Sequence, residues 1–167
     1  RPHDYVRHGT TSLFAALDVK AGTVIGACHA RHRAQEFRQF LTRIEAAVRR
    51  VLEANKGEVA GMIIEPMMMN IGVVPPPPGY LADLKEELES HDVLLTYDEV
   101  KTALTVHPGG ATGKFGVTPD IVCLAKALGG GLPCGAIGGT EEVMAAITDG
   151  RYDQIGTFNG NPLTMAA

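Results

Sequence analysis

The sequence predicts an α/β protein: a mostly parallel sheet with helices on both faces over residues 51–167, preceded over residues 1–50 by a β-hairpin and a helix. Three observations carry this expectation. From residue 59 onward, short continuous apolar runs alternate with amphipathic helical stretches, the pattern of strands buried on both faces between crossover helices. Before that, Phe37, Phe40, Leu41, Ile44, Ala47, Val48, Val51 and Leu52 recur at helical spacing, which predicts a long helix from about Arg33 with one buried face. The composition also changes along the chain. Residues 1–48 carry seven Lys/Arg against four Asp/Glu, a formal charge of +3, whereas residues 49–167 carry eight against fifteen, or −7. All six Met, seventeen of twenty Gly and nine of ten Pro fall in that second segment, so two origins are expected for one chain.

Each element has a local reason. SLFAALDV and TVIGACH flank the turn residues KAGT and read as a hairpin. VAGMII (59–64) reads as a short buried strand, and PPPPG (75–79) as a stiff connector that cannot lie in a central strand. GYLADLKEELESH then reads as a helix, VLLTY (93–97), DIVCLA and CGAIGG as strands, and EEVMAAIT as a helix.

The 167 residues, 45% hydrophobic and 20% charged, suffice for a real core and argue against disorder. No run of 18 or more apolar residues exists, and RPHDYVRHGTT has no apolar signal core, so a cytoplasmic protein without a membrane partner is expected. Cys28, Cys123 and Cys134 lie far apart without CxxC spacing and read as small buried hydrophobes rather than disulfide or zinc ligands. His29 and His32 lack further ligands nearby, so no metal site is expected. HPGGATGKF imitates a phosphate loop, but Pro108 stands where the first glycine belongs and Phe115 where Ser or Thr should hold magnesium. The chain starts with Arg and stops in what reads as an opening helix, as a piece of something longer would.

In open α/β sheets, ligands sit beyond the carboxyl ends of the strands. Asp98 directly follows VLLTY, and Lys126, 28 residues on, directly follows DIVCLA. An amine and a carboxylate at strand ends are the two parts that a pyridoxal 5′-phosphate site needs. The lysine forms the Schiff base, and the carboxylate keeps the pyridine nitrogen protonated so that the ring accepts electrons. The glycines after Lys126 would let backbone approach a cofactor closely. Taken alone, Lys126 also fits a solvated surface amine, and Asp98 with Glu99 a solvated acidic pair; spacing leaves both readings open.

MIIEPMMMNIGVVPP, LLTYDEVKTALTV, GGATGKFGVTPDIVCLAKALGGGLPCGAIGG and GTFNGNPLTMAA occur in this order and cover essentially all of residues 55–167. Together they strongly resemble the class III, fold type I, pyridoxal-phosphate aminotransferases, in particular the glutamate-1-semialdehyde aminomutase-like branch. The resemblance implies a partial fold type I large domain that moves an amino group between small amino and keto substrates through a Lys126 Schiff base. Asp98 would partner the pyridine nitrogen, Val100 would pack on the ring face, and Asn70 would lie near the ring hydroxyl. Thr157 would bind the cofactor phosphate of a neighbouring subunit, which makes a homodimer part of the site, and Glu65, held by Pro66 after a strand, reads as structural or as a support behind the site. Ala103 and Leu104 stand where the family usually shows Gly-Phe, and Lys101 where an uncharged residue is expected; these departures bear on substrate choice. The upstream phosphate loop and ring-stacking aromatic should precede residue 55, and the small domain should follow residue 167. The chain as given is therefore expected not to turn over by itself.

The first 48 residues resemble something else, a fragment of the DDE-type, mariner-like insertion-sequence transposases, in which this hairpin and helix belong to an RNase H-like core. Asp18 lies within the strand and is not assigned to catalysis, and the basic run RHRAQEFR reads as a solvated helix face rather than a nucleic-acid contact. The alternative function is thus a transposase remnant fused to an inactive aminotransferase fragment. The presence of Lys126 and Asp98, against the absence of an acidic triad, favours amino-group transfer.

Overall fold

The computed structural model describes residues 12–18, 23–29, 34–70, 72–156 and 159–166, with side chains from residue 43 onward. The chain divides into two compact units, Arg1–Asn55 and Lys56–Ala167.

In the first unit, β1 (Ser12–Asp18) and β2 (Thr23–His29) form an antiparallel hairpin in a register running from Ser12 opposite His29 to Asp18 opposite Thr23. Helix α1 (Ala34–Ala54) follows and lies against both strands. Its apolar stripe is visible from residue 43: Ala47 and Leu52 are buried and Ile44, Val48 and Val51 half-buried, while Arg43, Arg49 and Arg50 face solvent. The helix ends where Asn55 turns its side-chain Nδ2 (2.8 Å) and its backbone N–H (3.0 Å) onto the Val51 carbonyl, satisfying an acceptor that the helix itself leaves open.

The second unit is built on a four-stranded sheet in the order β3 (Gly61–Ile64), β4 (Leu94–Asp98), β5 (Ile121–Leu124) and β6 (Ala136–Gly139). The pairs β3–β4 and β4–β5 are parallel and β5–β6 antiparallel. The reversal follows from chain length. A parallel return needs a crossover of a dozen or more residues, usually a helix. Between β5 and β6 there is only the loop 125–135, which holds the 3-10 turn Lys126–Gly129. No helix among the described residues is long and apolar enough to cross a membrane.

Period-two alternation divides the sheet into two faces. Leu95 and Tyr97 are fully buried on one of them, which helix α2 (Tyr80–Glu89) covers with Tyr80, Leu81, Leu84 and Leu88. Each leucine among them is worth about 1.5–3 kcal/mol in burial, so this is the core of the unit. On the other face α4 (Glu141–Thr148) approaches β6: a Cβ built on Gly139 would meet the Met144 thioether at 3.5 Å. Thr140 caps α4 by accepting the Val143 N–H (3.4 Å). The same face leaves Ile63 at 63% and Ile137 at 44% exposure, so its cover within the described residues is partial. The remaining helices are the short α3 (Gly110–Phe115) and α5 (Pro162–Ala166).

Asp120 locks the amino edge of this sheet. Both its carboxylate oxygens lie 2.7 Å from Lys85 Nζ, and Oδ2 also accepts the Leu95 N–H at 2.7 Å. Burial alone would push the Asp120 carboxyl up. The hydrogen bonds from Lys85 and Leu95 outweigh it and hold the group below the ordinary carboxylate range. Burial likewise opposes the charge of Lys85, and Asp120 with Glu89 raises it above the usual lysine value. A depressed carboxyl contributes stability above its unfolded pKa of about 3.9 and loses it as pH falls through the folded value. Acidification below pH 4 should therefore destabilise the chain, and Asp120→Asn should flatten that acid limb. Urea unfolding at pH 7 and pH 3 measures both; an equal acid loss in the variant would refute the assignment.

Candidate active site

Parallel neighbours present their carboxyl ends at the same edge of a sheet, with adjacent strands about 4.8 Å apart. Asp98 is the last residue of β4 and pairs in register with Cys123 of β5, and Lys126 opens the 3-10 turn just past the end of β5. The structure thus brings the amine and the carboxylate to one edge from adjacent strands.

Lys126 has φ 46°, a left-handed conformation that costs an L-residue about 1–2 kcal/mol. The loop sustains it with hydrogen bonds from Leu128 N–H to the Ala125 carbonyl (3.0 Å), Gly130 to Ala127 (3.2 Å) and Leu132 to Gly129 (2.9 Å). Gly130 takes φ 57°, and a Cβ on Gly129 would come within 2.9 Å of Cys134 Cβ, so this turn tolerates little besides glycine at its tip. The Lys126 side chain is exposed and, among the described residues, has no hydrogen-bond or ion-pair partner.

Asp98 is half-buried. Its Oδ1 accepts the Val100 N–H at 3.1 Å, a local turn that leaves Oδ2 without a partner among the described residues. The chain leaves the strand after Asp98, and this hydrogen bond keeps the Val100 backbone beside it. Burial pushes the Cys123 thiol up, and the Asp98 charge next to it adds to the rise.

Glu99 turns the other way and is not half of a solvated acidic pair. It is 2% exposed, and its Oε2 accepts the Ala111 N–H (2.7 Å) and the Thr102 hydroxyl (3.1 Å). The carboxylate thus fills the turn that opens α3, where Gly110 takes φ 63°. The segment that imitates a phosphate loop spends an amide on an internal anion. Tyr97, fully buried, is pushed up to about 12 by burial and then by the Glu99 charge.

Asn70 lies in the segment after β3, which closes on itself through the reciprocal hydrogen bonds of Met68 and Val74 (3.2 and 2.9 Å). Lys101, just beyond Asp98, reaches across to donate to Asn70 Oδ1 (2.8 Å) and to the Met69 carbonyl (3.0 Å). Glu65 accepts the Met69 N–H and Asn70 Nδ2, both at 3.4 Å. Sequence reasoning placed Asn70 at the site but missed this tie; the charge at position 101 was its one visible sign. Thr157 lies outside the described residues. A cavity of about 580 Å³ opens at the end of β5, lined by residues that include Cys123, Cys134, Gln154, Asn159, Asn161 and Thr164; neither Asp98 nor Lys126 lines it.

This donor set suits pyridoxal phosphate. It offers an exposed amine in a constrained loop, a half-buried carboxylate with one open oxygen on the adjacent strand, and an amide on the next strand's loop.

Comparison with known proteins points the same way. The model of the family described as Aminotransferase class-III matches residues 13–167. Glutamate-1-semialdehyde 2,1-aminomutase of Salinibacter ruber is 50% identical over 121 residues, covering 72% of this chain and 28% of that protein. Among solved structures, an omega-transaminase from Sphaerobacter thermophilus superposes with a TM-score of 0.64 at 39% identity, covering 72% of this chain and 28% of its own. A beta-phenylalanine aminotransferase from Variovorax paradoxus gives 0.64 at 38% identity, covering 73% and 29%. The chain therefore spans about 28% of the length of the curated relatives it matches. With the family model matched over residues 13–167, the chain belongs to the class-III aminotransferases.

Proposed function

We propose that this chain contributes the lysine-bearing part of a site for pyridoxal-phosphate-dependent amino-group transfer, of the aminotransferase or aminomutase kind, acting on small amino and keto substrates. Class-III aminotransferases are pyridoxal phosphate enzymes. The bound cofactor supplies an aldehyde that condenses with amines and a ring that draws electrons from the adjoining carbon. The observation that carries the reading is the delivery of Asp98 and Lys126 to one edge from adjacent parallel strands.

Lys126 would hold the cofactor covalently, and its freed amine would move the proton between carbon positions, since no other amine leaves the carboxyl end of β5. Asp98 Oδ2 would accept a hydrogen bond from the ring N–H and keep that nitrogen charged, with Oδ1 held by the Val100 amide so that the carboxylate does not rotate. Val100 would flank the ring, Asn70 would meet the ring hydroxyl, and Thr157 would reach the phosphate of a partner subunit in a homodimer. For residues 1–48, a transposase origin rests on sequence resemblance alone.

Equilibrium dialysis against pyridoxal phosphate tests the reading. The unaltered chain should retain the cofactor, and Lys126→Ala should retain at least tenfold less under the same conditions. Equal retention by the two would refute the role of Lys126.

A further inference from the structure

We propose that Lys101 is a positioning residue: by occupying the Asn70 carbonyl oxygen it holds the Asn70 amide in the orientation whose spare N–H serves as a hydrogen-bond donor to the ring hydroxyl oxygen of the cofactor. The inference rests on the reading of the site given above and adds a residue to it.

An amide side chain has two ends of nearly equal shape, and only its partners decide which way it lies. Here both partners are unambiguous. The Lys101 ammonium can only donate, so the atom 2.8 Å from it must be the Asn70 carbonyl oxygen. The Glu65 carboxylate, when ionised, can only accept, so the atom facing its Oε1 at 3.4 Å must be the amide nitrogen. Cation and anion together exclude the flipped amide, which would set an NH₂ group against an ammonium and a carbonyl against a carboxylate. One of the two N–H bonds of Asn70 is then left over.

The tie also fixes the backbone. Lys101 Nζ holds the Met69 carbonyl at 3.0 Å while Glu65 Oε2 holds the Met69 N–H, so the residue before Asn70 is clamped on both sides. The loop after β3 is thereby joined to the turn after β4, directly past Asp98, across 31 and 32 residues of sequence. A cation on the carbonyl oxygen draws electron density from the amide and makes its remaining N–H a stronger donor, and such polarisation along a hydrogen-bond chain is cooperative. An N–H donor to the ring oxygen would favour its ionised form over its protonated one.

Three chains test this: unaltered, Lys101→Met, which keeps the length and removes the charge, and Lys101→Arg, which restores it. In ¹⁵N-labelled protein without cofactor, the Asn70 side-chain amide should give two unlike proton resonances that move toward free-amide values in Lys101→Met and return in Lys101→Arg. With pyridoxal phosphate bound, the ratio of the absorption bands of the ionised and protonated ring should fall at least threefold in Lys101→Met at fixed pH and recover in Lys101→Arg. A merely structural tie would change loop protection without moving that ratio, and an unchanged ratio overturns the proposal. Unmoved Asn70 resonances with cofactor uptake intact overturn the positioning alone. If the unaltered chain takes up no cofactor, the reading of the site falls and this proposal with it.

Discussion

Replacing Asp98 by alanine is expected to weaken retention of pyridoxal phosphate roughly ten- to a hundredfold while leaving the fold standing. A charge-assisted hydrogen bond in a partly dry site is worth about 1.5–3 kcal/mol, and 1.4 kcal/mol is a factor of ten in affinity. Asp98 has one oxygen engaged by the neighbouring Val100 amide and one open, so the substitution removes a single local turn from the free protein and the whole ring contact from the bound one. The same variant carries a second signal that needs no cofactor. Burial and then the Asp98 charge raise the Cys123 thiol, so removing the charge should lower it and speed alkylation of Cys123 at fixed pH. Unchanged cofactor affinity would remove Asp98 from the site, and unchanged Cys123 reactivity would contradict the adjacency on which the site is built.

A larger loss of stability is expected from Gly110→Ala. A Cβ at this position would lie 2.7 Å from each oxygen of Glu99, and the residue sits at φ 63°. The left-handed conformation costs about 1–2 kcal/mol for an L-residue. Displacing a buried carboxylate from the Ala111 amide and the Thr102 hydroxyl adds about 1–3 kcal/mol more. The sum, about 3 kcal/mol, corresponds to a fall in Tm of roughly 10–20 °C for a unit of this size. Thermal unfolding followed by circular dichroism measures it. A loss below about 1 kcal/mol would mean that Glu99 has room to move and does not organise the turn into α3.

The same residues explain what the sequence discloses and what it conceals. Strands and helices of the second unit are legible because each strand is a continuous apolar run and each longer helix an amphipathic one; which residues of VLLTY stand inside is not, since Leu95 and Tyr97 are buried only because α2 covers their face. Asp98 and Lys126 are legible as strand-end residues, since the ends of such runs can be located to within a residue or two. Helix α3 is not legible, because GATGKF carries two glycines of poor helix propensity and its opening turn is met by Glu99, eleven residues before its first glycine. The direction of β6 depends on loop length and not on the apolar pattern of CGAIGG, which fits either direction. The Lys101–Asn70 contact joins two loops more than thirty residues apart, and nothing periodic connects them; a charge where an uncharged residue is expected is the only trace it leaves in the sequence.

The central claim is that Lys126, and no other lysine, is the residue that takes the cofactor. Borohydride reduction of the chain in the presence of pyridoxal phosphate, followed by proteolysis and peptide mapping, tests it directly. The exposed amine at the end of β5, on a strained backbone and without a partner among the described residues, predicts a phosphopyridoxyl group on Lys126. Lys101 is engaged with Asn70 and Met69, and the Lys114 ammonium lies 5.9 Å from the Phe115 ring centroid, so neither should be modified in preference. A modified Lys101 or Lys114 beside an unmodified Lys126 would contradict the account.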